Sequence, residues 1–241
     1  MSSWPLPVRE PLDNQYTSVL ALAALDAEVG ESELLMSVAP IRLMCAGGCV
    51  AIKYFHVRGA TKDVDCMLDP NVDAAEDYRN ELLAAIRKVA DRCNLTVDWM
   101  NDELKLFINR PKRLDLFLQS IEQNIVIYPG SNIVVYAADL EWSLERKLRR
   151  IEVAGKDVRT EDLSDAVAIV RVLKNGGPPL SVEYLSSLNY NGFEFVLGKG
   201  IETAKEEYER VYGEVGIAEM VWDENAKKYR YVGLDNKWHW V

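Results

Sequence analysis

The pattern of apolar and polar positions divides the chain into segments with two different periods. Residues 41–46 form an apolar run ending at Gly47-Gly48, after which a short helix and then a second strand over 63–68 are predicted. On that second strand Asp63 and Asp65 alternate with Val64 and Cys66, so both carboxylates are expected on one face. Ahead of these strands, Val19, Leu20, Leu22, Ala23 and Leu25 predict a helix over 16–29, and a shorter one over 31–38 stops before Pro40. Residues 1–15 carry Pro5, Pro7 and Pro11 without a period and read as an extended arm. Tyr78, Leu82, Ile86 and Val89, spaced by threes and fours, predict a long crossover helix over 73–92. Short apolar segments at 95–100 and 104–108 follow, bridged by Asn101-Asp102-Glu103. The alternation Arg113-Leu114-Asp115-Leu116-Phe117-Leu118 predicts a core strand holding Asp115 between apolar neighbours. Two more strands, 125–128 and 132–136, flank the turn residues Pro129-Gly130-Ser131.

From Leu140 onward the period is helical. Leu140, Leu144, Leu148 and Ile151 share one stripe, and at about 100° per residue Lys147 falls on it too. Its ammonium is therefore aimed inward, unless the long stem snorkels to the rim. Arg146, Arg149 and Arg150 fan around the sides. The next helix, 160–173, buries Leu163, Ala166, Val167, Val170 and Leu173. Asp162 lies at the edge of that arc, where it is either turned inward or a first-turn acid favoured by the helix dipole; Asp165 lies well outside. Asn175-Gly176-Gly177-Pro178-Pro179 ends the helix and is the expected domain boundary. Helices over 181–188 and 201–212 follow. The final aromatics, Trp222, Tyr229, Tyr231, Trp238 and Trp240, predict a terminal hairpin with one aromatic face, packed on the body rather than stacked on bases. The expected organisation is an arm with helices over 1–39, an α/β domain over 40–175, and a helical, aromatic-rich extension over 176–241 packed on the core.

Composition narrows the function classes. With 241 residues, 49% of them apolar, the chain can bury a sizeable core. A formal charge of −10 argues against broad electrostatic adhesion to nucleic acid or anionic lipid, though not against one local basic groove. No apolar run approaches the roughly 18–20 residues that span a bilayer, and the first residues lack a basic stretch followed by an apolar one, so a soluble cytoplasmic protein is expected. Cys45, Cys49, Cys66 and Cys93 are too few for a disulfide scaffold, and His56 and His239 add no paired zinc ligands; small buried thiols are expected. Candidate chemistry concentrates at 41–68. Two carboxylates on one strand face repel unless a cation or proton intervenes. A strand-to-helix turn without side chains lets backbone N–H groups approach a phosphate closely. Taken singly, a Gly-Gly pair is usually a tight turn and an Asp-x-Asp a solvated strand face. If the two strands are neighbours, a phosphate on Gly47-Gly48 would face a divalent ion on Asp63 and Asp65.

Gly47-Gly48, then Arg58, Thr61 and Asp63-Val64-Asp65, resembles the signature of the DNA polymerase β superfamily of nucleotidyltransferases. Trp99-Met100-Asn101-Asp102 resembles the Trp-Leu-Asn-Asp element of a branch related to AbiEii-type and MenT-type toxin nucleotidyltransferases. Residues 140–147, followed by Glu161-Asp162-Leu163-Ser164-Asp165, resemble that branch's Lys and Lys/Arg-Asp-x-x-Asp elements. The resemblance spans about residues 40–175 and has no counterpart after Pro179.

The resemblance implies an α/β nucleotidyltransferase fold, with a mixed sheet flanked by helices and a helical C-terminal portion. It implies two Mg²⁺ (or Mn²⁺) ions on the strand carboxylates and transfer of a nucleotide from an NTP to an acceptor hydroxyl, on an RNA such as tRNA, a protein or a small molecule. By that resemblance Gly47 and Gly48 contact the triphosphate with Arg58 and Thr61 beside them. Asp63 and Asp65 are then the metal ligands, and Lys147 and Asp162 the active-site lysine and aspartate. Superfamily members usually carry a third carboxylate on a later strand; Asp115 is the first candidate and Asp98 the second. Gly47, Gly48, Asp63, Asp65 and Lys147 are expected to converge in one pocket. Two rival readings stand beside this one: a nucleotide-binding regulator that has lost turnover, and a toxin/antitoxin-type interaction protein docking through its aromatic end.

Overall fold

Strand β1 (Ile41–Ala46) is the centre around which the first part of the chain assembles. β2 (Val64–Leu68) pairs with it antiparallel on one side and β5 (Ile133–Ala137) parallel on the other. β3 (Met100–Asn101) lies parallel beyond β2 and β4 (Val126–Pro129) antiparallel beyond β5, giving the order β3-β2-β1-β5-β4. The computed structural model describes residues 15–190, 192 and 198–241. All of the expected arm except Gln15 lies outside them.

Register decides which side chain faces which layer. Leu43 opposite Leu68 and Cys45 opposite Cys66 belong to a core shared with Leu22, Leu25 and Val29 of α1 (Gln15–Gly30). Leu35 of α2 (Glu33–Met36) and Leu82, Ile86 and Val89 of α5 (Glu76–Cys93) complete that core. Met44 opposite Met67, and Ala46 opposite Asp65, point the other way. There the hydroxyl of Ser120, on α6 (Arg113–Gln123), donates to Met44 Sδ at 2.9 Å. Helices therefore cover both faces, which is why β1 reads as an apolar run rather than an alternation. The remaining short helices are α3 (Gly48–Val50), directly after β1, and α4 (Pro70–Asp73), directly after β2. Trp99, fully buried, donates its indole N–H to the Ile86 carbonyl at 3.1 Å, and its own carbonyl accepts from Val64 N–H at 2.8 Å. The Trp99-Met100-Asn101-Asp102 segment is thus clamped beside the start of β2.

The expected strand over 113–118 is a helix. An alternation of leucines is satisfied equally well by a helix, and Leu116, Phe117 and Ser120 are buried at helical spacing while Leu114 and Leu118 are exposed. The segment has no β-branched residue before Ile121, and Pro111 begins it in a 3₁₀ turn, so local preference also favours helix. Asp115 consequently stands exposed in the first turn of α6 instead of on a core strand.

The chain divides at 138/139 into two compact units, the second running from Asp139 to Val241, rather than at the expected positions near residues 39 and 175. Locally, α1 and α2 belong to the core of the sheet. The glycine-proline cluster is only a turn, because β6 (Leu180–Ser181) just after it pairs parallel with β7 (Ile217–Ala218) in the same unit. That unit is built on α7 (Leu140–Ala154), α8 (Thr160–Lys174) and α10 (Gly198–Tyr212), with α9 (Val182–Ser187) between. Asp139 caps α7 by accepting the Trp142 N–H at 2.9 Å.

β8 (Val221–Asp223), β9 (Lys228–Val232) and β10 (Trp238–Trp240) form an antiparallel sheet, so the terminal hairpin is present with a third strand added. Its aromatics do not share one face. Tyr229 is opposite Trp222 and Tyr231 opposite His239, whereas Trp238 is opposite Val232 and Trp240 opposite Arg230. The turn between β9 and β10 sets this phase, and a one-residue difference in register moves every side chain to the other face. Trp238 and Trp240 are 49% and 52% exposed, so they are not packed on the body as expected.

The molecule is thus mixed α/β with a mixed sheet flanked by helices. No helix among the described residues is long and apolar enough to cross a membrane. Cys45, Cys49 and Cys66 are buried free thiols, but Cys93, at the solvent side of the α5 terminus, is exposed.

Candidate functional site

The turn after β1 is built around two glycines. Gly47 has φ +71°, a conformation that L side chains rarely adopt, and a Cβ there would sit 3.7 Å from Asp65 Oδ2. A Cβ on Gly48 would lie 2.1 Å from Thr61 Oγ1 and 2.7 Å from Thr61 Cβ. Thr61 therefore closes directly on the turn, and its hydroxyl donates to the Asp63 carbonyl at 3.1 Å. Beyond Gly48, α3 runs into a π-helical turn over Ala51–Phe55, ended by His56 in the left-handed conformation. Arg58 is half-buried in the returning loop.

Asp65 sits in register between Ala46 of β1 and Asn101 of β3. Asp63 immediately precedes β2, one residue before the strand begins. Val64 and Cys66 are buried while Asp63 and Asp65 are half-buried, which is the expected alternation. The Asp63 carboxyl is held above the usual range by burial, and then by the negative charges of Asp65, Asp98 and Glu103 against the opposing Lys62. Gly47, Gly48, Thr61, Asp63 and Asp65 are thus gathered at one end of the sheet. Asp98 and Glu103 add to its negative field, and Glu103 was not foreseen. Asp115 is not on the strand that a third carboxylate requires. Among the described residues no group of three or more His, Cys, Asp or Glu is placed to hold a metal ion.

In the second unit, Lys147 of α7 is buried as its stripe predicts, 8% exposed. Its Nζ lies 2.7 Å from Asp162 Oδ1 and 2.7 Å from Asp165 Oδ2, both on α8, and Arg150 Nη1 is 3.5 Å from Asp162. Burial alone would push the Asp162 carboxyl up. The hydrogen bond and charge of Lys147, with Arg150 and Arg159, instead bring it below its ordinary value. Asp165, expected outside the apolar arc, is 2% exposed. The signal lay in its neighbours: α8 is buried continuously from Asp165 to Val170, so a single arc did not describe it.

Glu145, fully buried on α7, was also missed. It accepts from Arg149 Nε at 2.8 Å and from the Tyr190 N–H at 3.0 Å. Glu141 accepts the hydroxyls of Tyr184 and Tyr190, so α7 carries both the Lys147 site and the anchor of the segment after α9. Burial, followed by the Glu141 and Asp139 charges, pushes both phenols up and keeps them protonated donors.

No protein-family model, curated protein or solved structure matches this chain. The chemistry of these two sites therefore stands on their own geometry.

Proposed function

We propose that this protein is a divalent-cation-dependent nucleotidyltransferase that moves a nucleoside monophosphate from an NTP to an acceptor hydroxyl, with RNA such as tRNA as the acceptor class. One observation carries this reading: a side-chain-free turn, Gly47-Gly48, lies against the Asp65 carboxylate while Thr61 ties it to Asp63. Backbone N–H groups for a phosphate and carboxylates for a cation are then neighbours.

The residues fit Mg²⁺ or Mn²⁺. Mg²⁺ keeps several waters and takes one or two carboxylates plus substrate phosphates, so Asp63 and Asp65 are a sufficient protein share. A carboxyl whose charge is disfavoured by burial and then by its anionic neighbours is relieved by a cation. When bound, the metal supplies neutralisation of phosphate charge and acidification of the acceptor hydroxyl. Gly47 and Gly48 orient the triphosphate, and Thr61 holds the turn against the carboxylates. Asp162 and Asp165 fix the Lys147 ammonium within the second unit. Among the described residues Asp115 is on α6 rather than on a strand, which favours one alternative, a nucleotide-binding regulator without turnover.

Incubation with each α-labelled NTP, Mg²⁺, and either total RNA or protein extract decides between them. Wild-type protein is expected to transfer label, and Asp63→Asn with Asp65→Asn to lose it by about 10³-fold or more, the scale of removing a transition-state electrostatic contact. Gly48→Ala, which forces Thr61 away, should weaken nucleotide binding. Nucleotide binding without incorporation into any acceptor would establish the regulator.

A further inference from the structure

The three buried cysteines of the chain meet at one place. Cys45 lies near the end of β1, Cys49 in α3 just past Gly47-Gly48, and Cys66 on β2; each is at most 5% exposed and all three belong to one core cluster. The Asp69 N–H donates to the Arg42 carbonyl at 3.2 Å, so Arg42 and Asp69 are a hydrogen-bonded pair of the antiparallel ladder. Three positions further, Cys45 and Cys66 are then a non-hydrogen-bonded pair, the kind whose Cα atoms are about 4.5 Å apart with side chains close. On its other side the Cys45 thiol is hydrogen-bonded to the Cys49 thiol. Cys45 thus stands between two other thiols.

A lone buried thiol fills space as a small apolar group. Two thiols in hydrogen-bond contact, five residues of chain from end to end, are in addition a pair from which an S–S bond of about 2.05 Å forms by closing the remaining gap. Gly47, at φ +71°, supplies the turn of the chain between them. Of the two neighbours of Cys45, Cys66 is engaged elsewhere, because its S–H donates to the Asn101 carbonyl at 3.2 Å. Cys49 is the better nucleophile. The hydrogen bond from Cys45, and then the Lys53 ammonium, bring its thiol below the ordinary value against the effect of burial, whereas the same bond and burial push the Cys45 thiol up.

We infer that Cys45 and Cys49 are a redox pair that closes an internal disulfide across the Gly47-Gly48 turn, with a peroxide as the oxidant. The Cys49 thiolate attacks one peroxide oxygen, the O–O bond breaks and hydroxide leaves, giving a sulfenic acid. The Cys45 sulfur then attacks the Cys49 sulfur; the S–O bond breaks and the oxygen departs as water with the Cys45 proton. The proton lost earlier by Cys49 joins the hydroxide, so two thiols are oxidised while one peroxide is reduced to two waters. Closing the bond draws the start of α3 toward β1 and displaces the N–H groups of the turn. The redox sensitivity this gives to phosphate binding rests on the function proposed above, whereas the bridge itself does not.

Trypsin leaves Cys45 and Cys49 in one peptide, 43–53, and Cys66 in another, 63–79, so mass spectrometry reads the pairing directly. The full chain carrying Cys93→Ser, which removes the exposed thiol, is treated with hydrogen peroxide, then unfolded, alkylated and digested. Peptide 43–53 should be two hydrogens lighter and free of alkyl groups, and dithiothreitol should restore both alkylation sites. Cys49→Ala should abolish this change and Cys66→Ala should preserve it. Binding of each NTP with Mg²⁺ should weaken severalfold in the bridged protein and recover on reduction. Full alkylation of 43–53 after peroxide, or a bridge joining 43–53 to 63–79, would overturn the inference. A bridge that leaves NTP binding unchanged would refute the redox control of the turn. Reduced protein that forms the bridge on oxidation but binds no NTP would instead count against the nucleotidyltransferase reading alone.

Discussion

Asp63 sits where its own charge is costly. Its folded-state carboxyl is raised above the ordinary 3.8, so the folded chain keeps that proton to higher pH than the unfolded chain does. Stability from this group is therefore present below about pH 3.8 and is lost as pH rises through the raised folded value. Asp63→Asn should raise the melting temperature at pH 7 in the absence of divalent cations, and the gain should disappear near pH 3.5. Adding Mg²⁺ should raise the melting temperature of the wild type and leave the variant unmoved, which thermal melts at the two pH values will read directly. A site that improves stability when neutralised is one maintained against stability, as ligand sites are.

At the scale of elements, α7 and α8 are joined by an ammonium between two carboxylates, with all three side chains at most about a tenth exposed. Lys147→Met would leave Asp162 and Asp165 buried without their cation, a change expected to cost about 3–5 kcal/mol. Asp162 is depressed in the wild type, so its contribution is present above about 3.8 and lost as pH falls through the folded value; the variant should instead regain stability on acidification. Urea midpoints at pH 7 and pH 4.5 separate the two behaviours. Helix α7 was legible because its stripe is clean, and Lys147 fell on it by period alone. Asp165 and α6 were not. A helix buried on several sides has no single arc, and six residues of Leu alternation fit a strand and a helix alike.

For the whole molecule, the division at Ala138 and Asp139 predicts unfolding that is not a single step. Phe117, fully buried on α6, belongs to the first unit, and Phe117→Ala should cost about 3–5 kcal/mol. Scanning calorimetry should resolve two transitions, with Phe117→Ala lowering one and Lys147→Met the other. A single transition shifted equally by both would show that the units unfold as one.

Gly47-Gly48, Asp63-Val64-Asp65 and the inward Lys147 were readable from the chain because backbone freedom, carboxylate pairing and helical period are local properties. The antiparallel meeting of β1 with β2, which sets Asp65 against Gly47, needed the tertiary structure, and so did the second carboxylate on Lys147. The phase of β10, which turns Trp238 and Trp240 away from Tyr229 and Tyr231, and the exposure of Asp115 needed it as well. The physical reason is common to all four: which face of an element is buried depends on what packs against it, and partners distant in sequence leave no period within the element itself.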